Sequence, residues 1–254
     1  MGKFNLLIAS MLLLVAAGAQ AAEAVGKIGY MSGTLVVQRE DGTIKVLAPK
    51  SEVWAGDMLV TAKDSYAQVQ MNDGAKMTLR PHSNLKIEAY RFNKEEPKSD
   101  NAIFRLLKGG FRTVTGLIGK RGDPDAYKVR TVSATIGVRG TDFSSRLCAT
   151  QNCQDDEVER QAAPVNEPLG DAEPQSGAPG LYVTVHDGQV IMAQADRSLS
   201  LGSGETGFAS ATALIRLPAP PAFMNVDMQI DLESGSSGSS SPNPSVNQSG
   251  CVVR

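Results

Sequence analysis

Few residues in this sequence are equipped for chemistry, and their spacing narrows what they can do. The chain carries two histidines, His82 and His186, and three cysteines, Cys148, Cys153 and Cys251. It contains no Ser/His/Asp spacing, no Gly-x-Ser-x-Gly elbow and no His-Glu-x-x-His pair to assemble a nucleophile or a catalytic metal. A zinc site takes about four soft ligands. Here the thiols and imidazoles lie in distant segments, so no metal is expected. The run Gly119-Lys120-Arg121-Gly122 lacks the spacing and the Ser/Thr of a phosphate-cradling loop, and Asp155, Asp156, Glu157 and Glu159 lack EF-hand spacing and its glycine. No cofactor is expected.

Carboxylates remain. Asp57, Asp73, Glu88 and Asp142 keep a polysaccharide-active enzyme working with two acids as an alternative reading, because a glycosidase needs no more than that pair. Asp57 and Asp73 adjoin glycine in apparent turns, where the ordinary role of an aspartate is to accept backbone N–H groups. Arg139 stands between Gly137 and Gly140. Its guanidinium can fork onto a carboxylate across the fold or onto an anionic group of a partner. The intramolecular pair is the expected use, and Arg139 is the candidate partner-binding residue. The flanking glycines mark a bulge or a close backbone approach.

These residues sit on short strands. Over residues 34–38, 44–47, 67–71 and 75–79, β-branched and apolar residues alternate with polar ones. Val69, Met71, Met77 and Leu79 repeat at spacing two and give one apolar face, which Leu85 and Ile87 continue beyond a corner at Pro81 and Ser83. Asp41-Gly42, Asp73-Gly74 and Asp187-Gly188 fall between strand pairs and predict three tight primed hairpin turns. Residues 103–108 are read as strand, closed by Gly109-Gly110, and 116–125 as a surface loop.

The first 21 residues have the form of a cleavable export signal: Lys3, an apolar run over 6–17, then Ala19-Gln20-Ala21. The run is shorter than the ~20 residues that span hydrocarbon, so cleavage before Ala22 and release into the periplasm or outside the cell are expected, with no membrane span remaining. In that oxidising compartment Cys148 and Cys153 are expected to close a disulfide contributing roughly 2 kcal/mol, leaving Cys251 over. The formal charge of −2 divides unevenly: residues 22–150 hold 20 Lys and Arg against 14 Asp and Glu, whereas 151–254 hold 4 against 13. The positive charges are scattered singly along strands without interleaved aromatics, which argues against nucleic acid as a partner. Acidic and Pro-rich residues at 151–180 predict a mobile insertion, and Pro218 onward with the Ser/Gly run at 234–241 predicts a disordered tail over 218–254.

The stretch Thr135-Ile136-Gly137-Val138-Arg139-Gly140-Thr141-Asp142-Phe143 resembles the most recognisable motif of FecR-type domains. Gly33, Gly56-Asp57 with Thr61, Asp73-Gly74, Leu107 with Gly109 and Phe111-Arg112, Asp187-Gly188 and Gly202 with Gly204-Glu205 follow in the family's order, so the resemblance spans about 26–208. In the family's best-known setting a membrane-spanning sigma-factor regulator receives a signal from an outer-membrane transporter. This sequence shows neither a sigma-binding region nor an internal span, so the resemblance implies only the periplasmic half. The implied fold is all-β, an elongated or solenoid-like array of short antiparallel hairpins over 22–217. The implied role is a non-enzymatic module for protein interaction or signalling in the envelope, with a structural envelope component as a further alternative.

Overall fold

The computed structural model describes residues 23–150 except 122 and 124, residue 153, and residues 177–224. The expected export signal at 1–21, most of the expected acidic insertion and Cys251 lie outside the described residues. No helix among the described residues is long and apolar enough to cross a membrane.

The alternation read from the sequence becomes a ladder of strands: β1 (Gly26–Ser32), β2 (Leu35–Gln38), β3 (Ile44–Leu47), β4 (Glu52–Val53), β5 (Met58–Thr61), β6 (Tyr66–Met71), β7 (Lys76–Leu79), β8 (Asn84–Arg91), β9 (Asn101–Val114), β10 (Tyr127–Arg130), β11 (Thr135–Cys148), β12 (Gly180–Gln194), β13 (Arg197–Gly202), β14 (Thr206–Ala209) and β15 (Leu214–Leu217). In β6, Ala67, Val69 and Met71 are buried while Tyr66, Gln68 and Gln70 are only partly so, the signature of a strand with one face on the core.

The strands form one open sheet that runs as two rows. One row orders β4-β1-β6-β7-β9-β11-β12-β14-β15, and the other β3-β2-β5-β8-β9-β10-β11-β12-β13. Three long strands, β9, β11 and β12, belong to both rows, each with its two halves paired to different neighbours. The rows share one core, with Ile28, Val69, Leu79, Phe111, Phe143 and Val183 contributed by the first and Leu35, Leu59, Leu85, Phe104, Ile136 and Met192 by the second. Phe111 and Phe143 meet edge to face at 6.0 Å, and Phe104 and Tyr127 lie 5.4 Å apart. The all-β, solenoid-like class is therefore present. All pairings are antiparallel except β9–β10, which is parallel because residues 115–126 carry the chain back to the start of β9.

Several local expectations change. Asp41-Gly42 and Asp73-Gly74 do join hairpins, but neither is a two-residue primed turn: only the glycines take positive φ, +81° and +88°. Gly42 N–H bonds Arg39 C=O and Gly74 N–H bonds Met71 C=O, each at 3.0 Å, closing three-residue loops of type I geometry with a glycine bulge. Asp187-Gly188 is no turn at all. It lies inside β12, which runs on without reversing. Gly109 likewise bends β9 instead of ending it.

The packed fold also extends past Leu217, where the tail was expected to begin. Met224 is buried, the Phe223 ring stands edge-on to Tyr182 at 5.0 Å, and the Arg80 guanidinium donates to the Phe223 carbonyl at 3.1 Å. With Phe208 and the joined Cys148–Cys153 pair, whose Cα atoms are 4.7 Å apart, these rings make a second small core. Replacing both Phe223 and Met224 by alanine should lower stability by about 3 kcal/mol, the scale of one buried and one partly buried side chain. Urea denaturation measures this, and an unchanged midpoint would show that the packing beyond Leu217 adds nothing.

Candidate functional site

On the outer face of the second row, β10, β11 and β12 line a groove of about 590 Å³. Register explains its shape. Lys128 on β10 stands opposite Gly137, which stands opposite Ile191 on β12, so the middle position of that rung has no side chain. A Cβ built on Gly137 would meet only the Ile191 carbonyl, at 3.8 Å, so the backbone does not require glycine there. The missing side chain instead forms the floor of the groove.

Around that floor stand Lys128, Arg130 and Arg139, with Gln189 opposite Arg139 and Ile191, 45% exposed, as an apolar wall. Lys128 pairs with Asp125 at 3.3 Å, and Arg130 with Glu88 at 3.1 Å. Burial works to raise the Glu88 carboxyl, but hydrogen bonds and charge from Arg105 and Arg130 outweigh it and hold the group below the ordinary glutamate value. Arg139 is exposed, and among the described residues its guanidinium has no ion-pair partner. The expected intramolecular fork is made by a different arginine: Arg112 donates to both oxygens of Asp142, at 2.9 and 2.8 Å.

The reason lies in the bend between Arg139 and Asp142. Gly140 adopts φ +55°, and the β11–β12 register shifts between Arg139 and Asp142, so alternation changes phase there. Arg139 then faces the second row's groove while Asp142 belongs to the first row. Four contacts fix the bend. Gly140 N–H donates to Gly119 C=O at 2.6 Å; the buried Thr141 hydroxyl lies 3.0 Å from Arg139 C=O and 2.7 Å from Gln189 C=O; and Thr141 N–H donates to the Thr115 hydroxyl at 2.8 Å. Thr141 thus braces the two backbones that present Arg139 and Gln189.

The loop carrying Gly119 is organised from a distance by Asp73, which sequence reasoning placed only in a turn. Its Oδ1 accepts from Ala75 N–H and from the Tyr90 hydroxyl at 3.1 and 3.0 Å, its Oδ2 accepts from Ile118 N–H at 3.2 Å, and its carbonyl accepts from Leu117 N–H at 3.0 Å. Burial first, and the Asp73 charge second, push the Tyr90 phenol well above its usual range, so it stays a donor. The other sequence-named acids are also engaged. Asp57 is buried, which raises its carboxyl, and it accepts from Trp54 N–H at 2.9 Å beside Arg39, whose guanidinium lies 4.2 Å over the Trp54 ring. Glu88 and Asp142 hold the arginines already described.

One pairing had no signal in the sequence. Ser144 Oγ lies 2.8 Å from His186 Nε2 because the two are diagonal neighbours on β11 and β12, with the serine 1% exposed. Among the described residues no group of three or more His, Cys, Asp and Glu could hold a metal ion.

Two crystal structures of a candidate anti-sigma factor from Parabacteroides distasonis align with this chain at TM-scores of 0.45 and 0.46. Identity is 16% and 17%, over 68% of this chain, and the chain spans 64% of the length of those structures. No curated protein matches the chain. The family model described as FecR protein matches residues 57–159, which contain the Asp73 cluster, the Gly119 loop and the Gly140 bend. Through that segment, from buried Asp57 past Arg139, the chain is similar to the FecR protein family.

Proposed function

We propose that this protein is an exported regulatory module that recognises an envelope partner protein through the groove over Gly137. A FecR domain is a signalling or regulatory element, which supports the general class. Export rests on the Lys3, apolar and Ala19-Gln20-Ala21 pattern of the first residues. The observation that carries the site is Arg139: a guanidinium held by a braced bend, exposed, without a carboxylate partner among the described residues, beside an exposed Ile191. An arginine next to an apolar wall is the pairing that recurs where protein surfaces meet. The net positive charge of residues 22–150 favours a partner with an acidic face, and association should weaken as salt screens that attraction.

The test places a photo-crosslinking residue at Gln189 in intact cells and identifies what is captured. Arg139→Glu should lower capture roughly tenfold at low salt, the effect of reversing one interfacial charge. Gly137→Val should also block the groove, while the melting temperature stays put because the added Cβ makes only an ordinary contact, 3.8 Å from the Ile191 carbonyl. Capture that survives both substitutions would place recognition elsewhere on the molecule.

A further inference from the structure

The groove over Gly137 has two unlike walls, and register sets both. β11 contributes the floor: Thr135, then Gly137 with no side chain, then Arg139. On one side β10 sets Arg130 opposite Thr135 and Lys128 opposite Gly137. On the other, β12 sets Ala193 opposite Thr135, Ile191 opposite Gly137 and Gln189 opposite Arg139. The next strands out continue the contrast. On β9, Arg105 stands beside Arg130, while on β13 Ser198 and Ser200 stand beside Ala193 and Ile191. One wall is cationic and the other is small and mostly apolar.

The cationic wall is not cancelled from within. Lys128, Arg130, Arg105 and Arg139 carry four positive charges, and two carboxylates meet them: Asp125 on Lys128, and Glu88 shared between Arg105 and Arg130. The Asp125 side chain is 76% exposed, so its pair with Lys128 is a hydrated one that a second carboxylate can join at little cost.

Spacing then selects the shape of what fits. Neighbouring strands lie ~4.8 Å apart, so the backbones of the two walls stand about 10 Å apart, and the floor from Thr135 to Arg139 runs about 13 Å. A helix, about 10–12 Å across with its side chains, is too wide to enter between them. An extended chain laid along β11 turns successive side chains to opposite walls, and those on one wall recur every ~6.8 Å, the spacing of Lys128 from Arg130 and of Ile191 from Ala193. Its first and third residues meet Arg130 and Lys128, its second and fourth meet Ala193 and Ile191, and its fifth reaches Arg139. The missing side chain at Gly137 lets its backbone descend between the walls.

Resting on the groove as the recognition site, we propose that its occupant is an extended segment of the partner protein in which acidic and aliphatic residues alternate over five positions, the middle acid on Lys128 and an outer one on Arg139. The middle position meets Lys128 in either chain direction.

The test measures binding of two labelled, end-blocked peptides of one composition to the full chain at low salt: Glu-Val-Glu-Val-Glu and Glu-Glu-Glu-Val-Val. The alternating order should bind roughly tenfold tighter, the scale of one well-placed charge pair. Lys128→Glu should erase that preference, and Glu-Val-Lys-Val-Glu should bind Lys128→Glu more tightly than it binds the parent. Equal affinities for the two orders would reduce the attraction to net charge and overturn the inference. Binding of neither peptide would overturn it too. If crosslinking from Gln189 still depends on Arg139 in that case, the groove stays the recognition site and only its extended occupant is lost, whereas loss of both rejects the site itself.

Discussion

Gly188→Val should lower stability by about 4 kcal/mol, the combined scale of left-handed strain and an unrelieved backbone clash. At φ +84° a side chain is already disfavoured, and the new Cβ would stand 2.5 Å from the Gly140 carbonyl oxygen and 3.1 Å from Thr141 Cα. Both obstacles are backbone in the paired strand, so neither can swing away. Gly140 offers a contrast across the same bend. Its φ is +55°, but the nearest atom to a built Cβ is the flexible Lys120 Cγ at 3.4 Å. Gly140→Asn, with a residue that tolerates the left-handed region, should therefore cost no more than about 1 kcal/mol. Urea melts of the two variants decide the matter. Equal losses would mean that the bend is not a shared contact between β11 and β12.

Asp73→Ala should cost about 3 kcal/mol or more, because it strands the buried N–H groups of Ala75 and Ile118 and the Tyr90 hydroxyl without their acceptor. Asp73→Asn keeps one carbonyl oxygen and should recover part of that loss. The effect should also travel. With Ile118 released, the loop that offers Gly119 C=O to the Gly140 amide loosens, and Arg139 sits one residue before that amide. In Asp73→Asn, still folded, the Gly140 amide should exchange faster than in the parent while the amide of Val183, on the far side of the core, does not change. Uniform acceleration would indicate a general loss of stability instead of a route from Asp73 to the bend.

Much of this architecture could be read from local pattern. Alternation in β6 and β7 named the core residues, and the glycines flanking Arg139 marked the stretch in which β11 bends. What escaped depends on partners far away in the chain. A hairpin turn and a mid-strand bulge both ask for positive φ at glycine, so Asp187-Gly188 carries the same local signal as the other two pairs. Only the opposing Gly140, brought alongside by pairing, makes it a bend. The same bulge shifts the phase of β11, so Arg139, expected to fork onto a carboxylate within the fold, faces the groove while Arg112 takes Asp142. Asp73 shows its role only when Tyr90 and Ile118 are folded around it. Phe223 and Met224 stand beside a proline-rich run, too short a stretch for periodicity to reveal that they pack.

The place where the chain leaves β11 has a consequence for how such a protein can change over generations. Cys148 and Gly180 are paired across adjacent strands, so residues 149–179 depart and return at a single rung of the ladder, and the Cys148–Cys153 bond holds the departure point. Loop closure grows only with the logarithm of length, about 0.6 kcal/mol for each doubling. Sequence can thus be gained, lost or exchanged in that connection without moving a register elsewhere in the ladder.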